Sequence, residues 1–216
     1  MLELGLSLVF AYLIGSINFS LALGKLKNLD VRETGSGNAG ATNALRAAGF
    51  WFALAVMIGD VGKAIVAVGP LATLAYSFAD EPTFSLAWGQ VAAGASVTAA
   101  HCYPLWHEFR GGKGFAALLG SYLVLHAPLV GAVLTVWVLV MIFSGYVGLA
   151  TMVAAVSAPV FLTFFMPEAP PELFWLAAAA GAFTVLTHRD NVRNLLDGSE
   201  HCFTKVRVDH WFKSGG

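Results

Sequence analysis

The sequence is poor in charge. Its 216 residues include 12 Lys and Arg and 13 Asp and Glu, 12% of the chain, where a soluble domain carries roughly 25%. So little charge cannot coat a globule of this size with water-compatible surface. A soluble enzyme, a disordered chain and a nucleic-acid binder are excluded. Cysteine is equally scarce. Cys102 and Cys202 are too few and too far apart for a disulfide framework or a zinc site, and both read as free thiols. No Lys or Arg precedes the first apolar run, residues 4–24, which argues against a cleaved signal peptide. Between residues 114 and 167 there is no Asp, Glu, Lys or Arg at all. Internal repeats, low-complexity tracts and a second domain are also missing.

What is present is apolar: 57% of residues are hydrophobic. A helix needs about 20 mostly apolar residues to cross a bilayer. That predicts an all-α, polytopic integral membrane protein, one domain over 1–216, with spans at about 4–24, 50–78, 84–103, 115–126, 128–147, 148–166 and 173–187. The turns inside the uncharged stretch are expected at His126-Ala127-Pro128 and Ser144-Gly145-Tyr146, because Pro and Gly punctuate helices. Eleven of the twelve basic residues (Lys25, Lys27, Arg32, Arg46, Arg110, Lys113, Arg189, Arg193, Lys205, Arg207, Lys213) fall on one side of this map; only Lys63 lies in a span. The opposite loops hold Asp80, Glu81, Glu168 and Glu172. The positive-inside rule then puts the N-terminus outside and the C-terminus in the cytoplasm, which seven spans satisfy. In the tail, Val206, Val208, Trp211 and Phe212 suit an interfacial element.

Three polar clusters meet the cytoplasmic face. In residues 30–46, Gly35, Gly37 and Gly40 let backbone N–H groups approach an anion. Ser36, Asn38, Thr42 and Asn43 add neutral donors, and Arg32 and Arg46 add guanidinium forks suited to phosphate. A flexible polar loop has the same composition. Residues 101–114 end in Gly111-Gly112-Lys113-Gly114. No Ser or Thr follows Lys113 and no Gly lies five residues before Gly112, so this is not a nucleotide P-loop. It is a Gly-rich turn carrying Arg110 and Lys113, or simply an inside-positive anchor. His101 and His107 lack a third ligand at metal-binding spacing. In residues 187–200, His188, Asn191 and Leu195 share a face if the last helix continues, and Gly198 is placed to end it; an ordinary amphipathic helix end fits as well. Asp60 and Lys63 sit at i, i+3 inside a span, where charges pair or face a polar interior. They read as a structural brace or a substrate contact.

A site rich in anion-binding groups, with no legible nucleophile and no acidic metal cluster, can align two phosphate-bearing molecules and stabilise charge. The three clusters also carry a resemblance that covers nearly the whole chain. The chain resembles the bacterial acyl-phosphate-dependent glycerol-3-phosphate acyltransferases. The first cluster is similar to their Asp-x-Arg-x-x-Gly-Ser-Gly-Asn-x-Gly-Ala-Thr-Asn-x-x-Arg pattern, met by Asp30 through Arg46. The second is similar to His-x-x-Pro…Phe-[Lys/Arg]-Gly-Gly-Lys-Gly, met by His101, Pro104, Phe109, Arg110 and residues 111–114. The third is similar to His-Arg-x-Asn…Gly-x-Glu, met by His188, Arg189, Asn191, Gly198 and Glu200. Departures are Asn18 and Ala39 where proline is usual, Ala100 where glycine is usual, and Asn194 where arginine is common.

The resemblance implies acyl transfer from a long-chain acyl phosphate to the 1-hydroxyl of sn-glycerol 3-phosphate, giving lysophosphatidic acid and inorganic phosphate. It implies seven spans in the bacterial inner membrane, an active site facing the cytoplasm, membrane lipid as surroundings, no cofactor, no metal and no nucleic acid. Ser36, Asn38, Gly40 and Asn43, with Lys113, would cradle one phosphate, and Arg46, His188 and Asn191 the other. Arg110, Gly111, Gly112 and Gly114 would line the substrate. Asp60, Lys63, Gly198 and Glu200 would be structural, and His188 or a substrate phosphate would take the proton. Two rivals predict other features. The common acyl-CoA-dependent enzymes use His-x4-Asp, and none of the six histidines has Asp five positions later. A phosphate transporter would carry repeat-related helices with charge at the bilayer midplane.

Overall fold

The computed structural model describes the backbone of residues 1–213 and side chains as far as His210. Trp211, Phe212 and Lys213, placed above at the membrane interface or on the basic side, lie outside the described side chains. Every regular element among the described residues is helical. Four helical stretches are long and apolar enough to cross a membrane, Leu2–Leu26, Phe50–Tyr76, Phe115–Ser144 and Val147–Phe164, and Pro171–Thr187 is a shorter apolar helix. Ile58, Phe143, Phe164 and Trp175 are each more than half exposed, while Asp60 and Lys63 are buried. A surface of large apolar side chains around buried charge is the arrangement lipid favours and water does not.

The chain forms two compact units, residues 1–126 and 127–216. In the first, α1 (Leu2–Gly15) and α2 (Phe19–Leu26) are separated by a break at residues 16–18. α3 (Ala41–Ala48) turns through Gly49, at φ +83°, into α4 (Phe50–Val66). A π-turn, Ala67–Leu71, leads to α5 (Ala72–Tyr76). Pro70 lies within it and has no N–H to give, and the wider turn absorbs that loss. α6 (Leu86–Cys102) packs on α1 through small residues: a Cβ on Gly15 would stand 2.8 Å from the Ala100 Cβ. Ala11, Ala64, Ala67, Val68, Ala93 and Val97 fill the shared core. Without a hydrophobic drive between helices in lipid, close backbone approach is what holds them. A second cluster, Leu21, Val31, Ala39, Ala44, Phe52 and Val56, lies beneath residues 30–46.

α7 (Phe115–Ser144) is interrupted at His126, whose φ of −164° and ψ of 85° are not helical. This is the break expected at His126-Ala127-Pro128. In the second unit, α8 (Val147–Phe164) packs on α9 (Pro171–Thr187) where Gly181 lies against the Ala155 carbonyl. α10 (Arg189–Asp197) ends on Gly198 in the left-handed region, φ +77°, the helix stop its position predicted. α11 (Val208–Lys213) closes the described chain. The Phe203 N–H donates to the Gly145 carbonyl (2.9 Å), folding the tail against the turn between α7 and α8.

Candidate active site

Residues 30–46 form an ordered loop with its own clamps. Asp30 accepts from the Arg32 N–H at 2.9 Å and pairs with its guanidinium at 2.7 Å. This contact holds the Asp30 carboxyl below its usual pKa and raises that of Arg32. Asn43 reaches back from α3. Its amide donates to the carbonyls of Val31 (2.7 Å) and Thr34 (3.0 Å), and its Oδ1 accepts from the Ser36 N–H (3.0 Å). Gly35, at φ +57°, is required there: a Cβ would collide with the Asn43 Oδ1 and lie 3.8 Å from the Arg46 Cδ. The bend therefore stacks Ser36, Asn43 and the Arg46 stem together, with Ser36 and Arg46 exposed. α3 starts on Gly40 without a side-chain cap, so its first N–H groups suit an anion.

The second cluster is built onto the end of α6. A short 3₁₀ turn, Leu105–His107, is followed by Glu108 and Phe109 in the left-handed region. The chain reverses, and the N–H groups of Gly111 and Gly112 donate to the carbonyls of Cys102 (3.0 Å) and His101 (3.1 Å). The Gly-Gly turn thus caps the last carbonyls of α6, one requirement of any helix end. Gly111 and Gly112 have no room for a Cβ, which would meet the His101 carbonyl in one case and the His101 Nε2 in the other. The two clusters touch directly, since the Arg32 guanidinium donates to the Arg110 carbonyl (3.5 Å). Burial, then the positive charges of Lys25 and Arg32, hold the nearby His107 below its ordinary pKa.

Beneath both loops lies a buried polar group that sequence reasoning only half found. Asp60 and Lys63 pair at 3.0 Å, as their spacing predicts. Lys63 also donates to the Ile17 carbonyl (2.7 Å) and lies 3.0 Å from the His101 Nδ1. The Ile17 carbonyl belongs to the break between α1 and α2, where non-helical backbone in a span must find an internal partner. Asn18 completes that break: its Oδ1 caps α2 through the Leu21 N–H, and its Nδ2 donates to the Ala39 carbonyl (3.1 Å) under the first loop. Ser16 accepts from the Leu105 N–H (3.0 Å), tying the same break to the second loop.

The third cluster belongs to the second unit. α9 ends at Thr187, and His188, at φ −101° and ψ 15°, forms the corner into α10. The helix is interrupted only at this residue: the His188 N–H still donates to the Thr184 carbonyl (3.1 Å), and its carbonyl accepts from the Val192 N–H (3.0 Å). Its ring turns back onto α9, with Nδ1 2.8 Å from the Thr184 carbonyl. A carbonyl only accepts, so Nδ1 carries the hydrogen and Nε2 is the basic nitrogen. Asn191 donates to Glu200 at 2.7 Å and its amide packs on Gly148. Glu200 thus holds the amide of half-buried Asn191.

The structure changes one assignment inside the first cluster. Asn43 was placed among the phosphate donors, but it is buried and both amide hydrogens are spent on loop carbonyls. It shapes the loop instead. Ser16, Asn18 and His101 are the residues that sequence reasoning underweighted; the polar Ser16-Ile17-Asn18 interruption of an apolar run was the available signal. Among the described residues no cluster of three or more His, Cys, Asp or Glu could hold a metal ion.

Comparison with known proteins agrees with this assembly. The family model described as glycerol-3-phosphate acyltransferase matches residues 5–198. The glycerol-3-phosphate acyltransferase of Aquifex aeolicus is 35% identical over 195 residues, covering 90% of this chain and 96% of that one. The Burkholderia cenocepacia enzyme is 38% identical over 202 residues, covering 92% and 90%. The crystal structure of PlsY (YgiH), an integral membrane glycerol 3-phosphate acyltransferase, in its glycerol 3-phosphate form superposes with a TM-score of 0.79 at 34% identity, covering 93% of this chain and 95% of that one. Its lysophosphatidic acid form gives the same TM-score at 33% identity. With similarity to these enzymes over most of its length, the chain belongs to the family of integral membrane glycerol-3-phosphate acyltransferases.

Proposed function

We propose that the protein transfers a fatty acyl group from acyl phosphate to the 1-hydroxyl of sn-glycerol 3-phosphate. The substrate hydroxyl attacks the acyl carbon, the bond from that carbon to the phosphate oxygen breaks, and lysophosphatidic acid and inorganic phosphate leave. The hydroxyl proton passes to a phosphate oxygen or to the His188 Nε2. Phosphate is a good leaving group, so positioning and charge stabilisation do most of the work. Ser36, Asn38 and the N–H groups at Gly40, with Lys113, hold one phosphate. Arg46 supplies the fork for a second anion. Arg110, Gly111, Gly112 and Gly114 form the turn that presents Lys113, and Asn43 sets the loop that presents Ser36. His188 and Asn191 are assigned to the reaction on their chemistry and on the resemblance.

The protein acts as a single catalytic domain with seven crossings, N-terminus outside, C-terminus and active site in the cytoplasm, in the bacterial inner membrane. The one-sided basic residues and the interruption of α7 at His126 support this count. The observation that carries the functional reading is the clamped loop 30–46, which leaves Ser36 and Arg46 exposed and meets the Gly-Gly-Lys turn through the Arg32–Arg110 contact.

Purified protein given acyl phosphate, acyl-CoA or acyl carrier protein separately, with glycerol 3-phosphate, tests it. Phosphate release is expected from acyl phosphate alone, falling at least about a hundredfold in Arg46→Ala and Lys113→Ala. Turnover of a thioester but not of acyl phosphate overturns the donor assignment; undiminished release in both variants overturns the site.

A further inference from the structure

The buried group under the loops contains more chemistry than a brace needs. An isolated Asp60–Lys63 pair would satisfy the charges, yet His101 is drawn in from α6 and buried with them. Geometry points to one state of its ring. The Lys63 ammonium has three hydrogens and three acceptors in reach: the Ile17 carbonyl (2.7 Å), the Asp60 Oδ1 (3.0 Å) and the His101 Nδ1 (3.0 Å). An ammonium only donates, so Nδ1 must offer its lone pair, and the ring hydrogen is left on Nε2. The 3.4 Å separation of the His101 Nδ1 and the Asp60 Oδ1 is then two acceptors gathered around one cation.

Nε2 points to the junction of the two anion-binding loops. The space a side chain at Gly112 would take is occupied by the His101 Nε2, and that same position lies 3.0 Å from the Ala39 carbonyl. Gly112 also donates its N–H to the His101 carbonyl (3.1 Å). One histidine thus grips Gly112 from its backbone and from its ring, one residue before Lys113.

We propose that Asp60, Lys63 and His101 form a tautomer lock: Lys63 fixes the ring hydrogen of His101 on Nε2, and the Nε2 edge of the ring, packed into the space beside Gly112, positions the turn that carries Lys113. His101 is a positioning residue, acting through Gly112. The lock explains why a membrane segment retains a charged pair that two apolar residues could replace at little or no cost in stability. The kinetic consequence rests on the acyl-phosphate reading; the tautomer does not.

Nitrogen-15 NMR of histidine-labelled wild-type protein in micelles reads the lock directly, with His101→Gln removing the signal for assignment. A neutral ring protonated on Nε2 is expected; protonation on Nδ1, or on both nitrogens at neutral pH, overturns the proposal. Kinetics of two variants then read the consequence. Gln places an amide N–H where Nε2 was, whereas Asn reaches only as far as Nδ1. His101→Gln is expected to keep kcat and KM near wild type, and His101→Asn, which leaves the space beside Gly112 unfilled, to raise KM for the phosphate substrates about tenfold. Equal behaviour of the two variants overturns the positioning role. If His101→Asn does not fold, Gly112→Ala serves in its place: it is expected to raise KM more in the wild type than in a His101→Gly background, where only the Ala39 carbonyl at 3.0 Å still crowds the methyl. An equal effect in both backgrounds is the contrary result. Wild-type protein inactive with every acyl donor refutes the functional reading alone, because the NMR result stands without turnover.

Discussion

The two halves of the candidate machinery are held by opposite means. In the first unit, the loops at 30–46 and 101–114 are fixed by buried side chains distant in sequence: Asn18 to Ala39, Lys63 to Ile17 and His101, Ser16 to Leu105. In the second unit, the side-chain bonds seen around His188 are short in sequence. His188 binds Thr184, four residues back, and Asn191 binds Glu200, nine residues on. Long-range polar ties inside a membrane are expensive to break because nothing replaces a lost partner. Local ties at a helix end have water or a nearby backbone group to fall back on. The first region should therefore fail as a whole, and the second one contact at a time.

The largest expected effect cuts the first region at its centre. Lys63→Met leaves Asp60 buried without a cation and the Ile17 carbonyl without a donor. Breaking a buried pair from one side costs about 3–5 kcal/mol. The variant is expected to lose most of its folded yield, and adding Asp60→Asn should restore part of it. Thermal unfolding in detergent measures both. A Lys63→Met protein of near wild-type stability would remove the buried group from the account.

This difference between the regions also marks what could be read in the sequence. The four long apolar stretches, the break at His126 and the stop at Gly198 are local consequences of composition, Pro and Gly, and they were legible. The Asp60–Lys63 pairing was legible because two charges at i, i+3 in an apolar run have few alternatives. The entry of His101 and Asn18 was not, because it depends on which helices become neighbours. Asn43 and Asn38 look alike in a polar loop; only the turn of α3 shows that Asn43 faces inward. The corner at His188 is a different case. The helical pattern continues through it, and the ring bonds its own preceding turn instead of extending the next one.

An intermediate pair of substitutions compares the loops themselves. Asn43→Ala deprives the Val31 and Thr34 carbonyls and the Ser36 N–H of their partner. At about 1–3 kcal/mol for a buried group left unsatisfied, the melting temperature should fall and phosphate release should drop at least about a hundredfold. Glu200→Ala removes a single bond from half-buried Asn191. A loss of about 1 kcal/mol is expected, with turnover down about tenfold. Equal losses from the two variants would erase the distinction between a loop held from within and a helix end held by its neighbour.

The smallest effect tests whether a local tie inside the first region behaves like those of the second. Asp30 and Arg32 are two residues apart, and the Asp30 side chain is 32% exposed. The Arg32 guanidinium holds the Asp30 carboxyl below its ordinary pKa of about 3.9. A carboxylate with a lowered folded pKa contributes its full stabilisation above the unfolded value and loses it as pH falls through the folded one. Asp30→Asn should therefore lower stability by a constant amount, under about 1 kcal/mol for so exposed a pair, from pH 8 to pH 5. The gap to wild type should close only below about pH 4, as Asp30 itself protonates. Unfolding followed across that range gives the curve. A gap that already changes between pH 6 and pH 8 would mean another group controls the loop, with half-buried His107 the first to examine, since it faces Lys25 and Arg32 from the neighbouring turn.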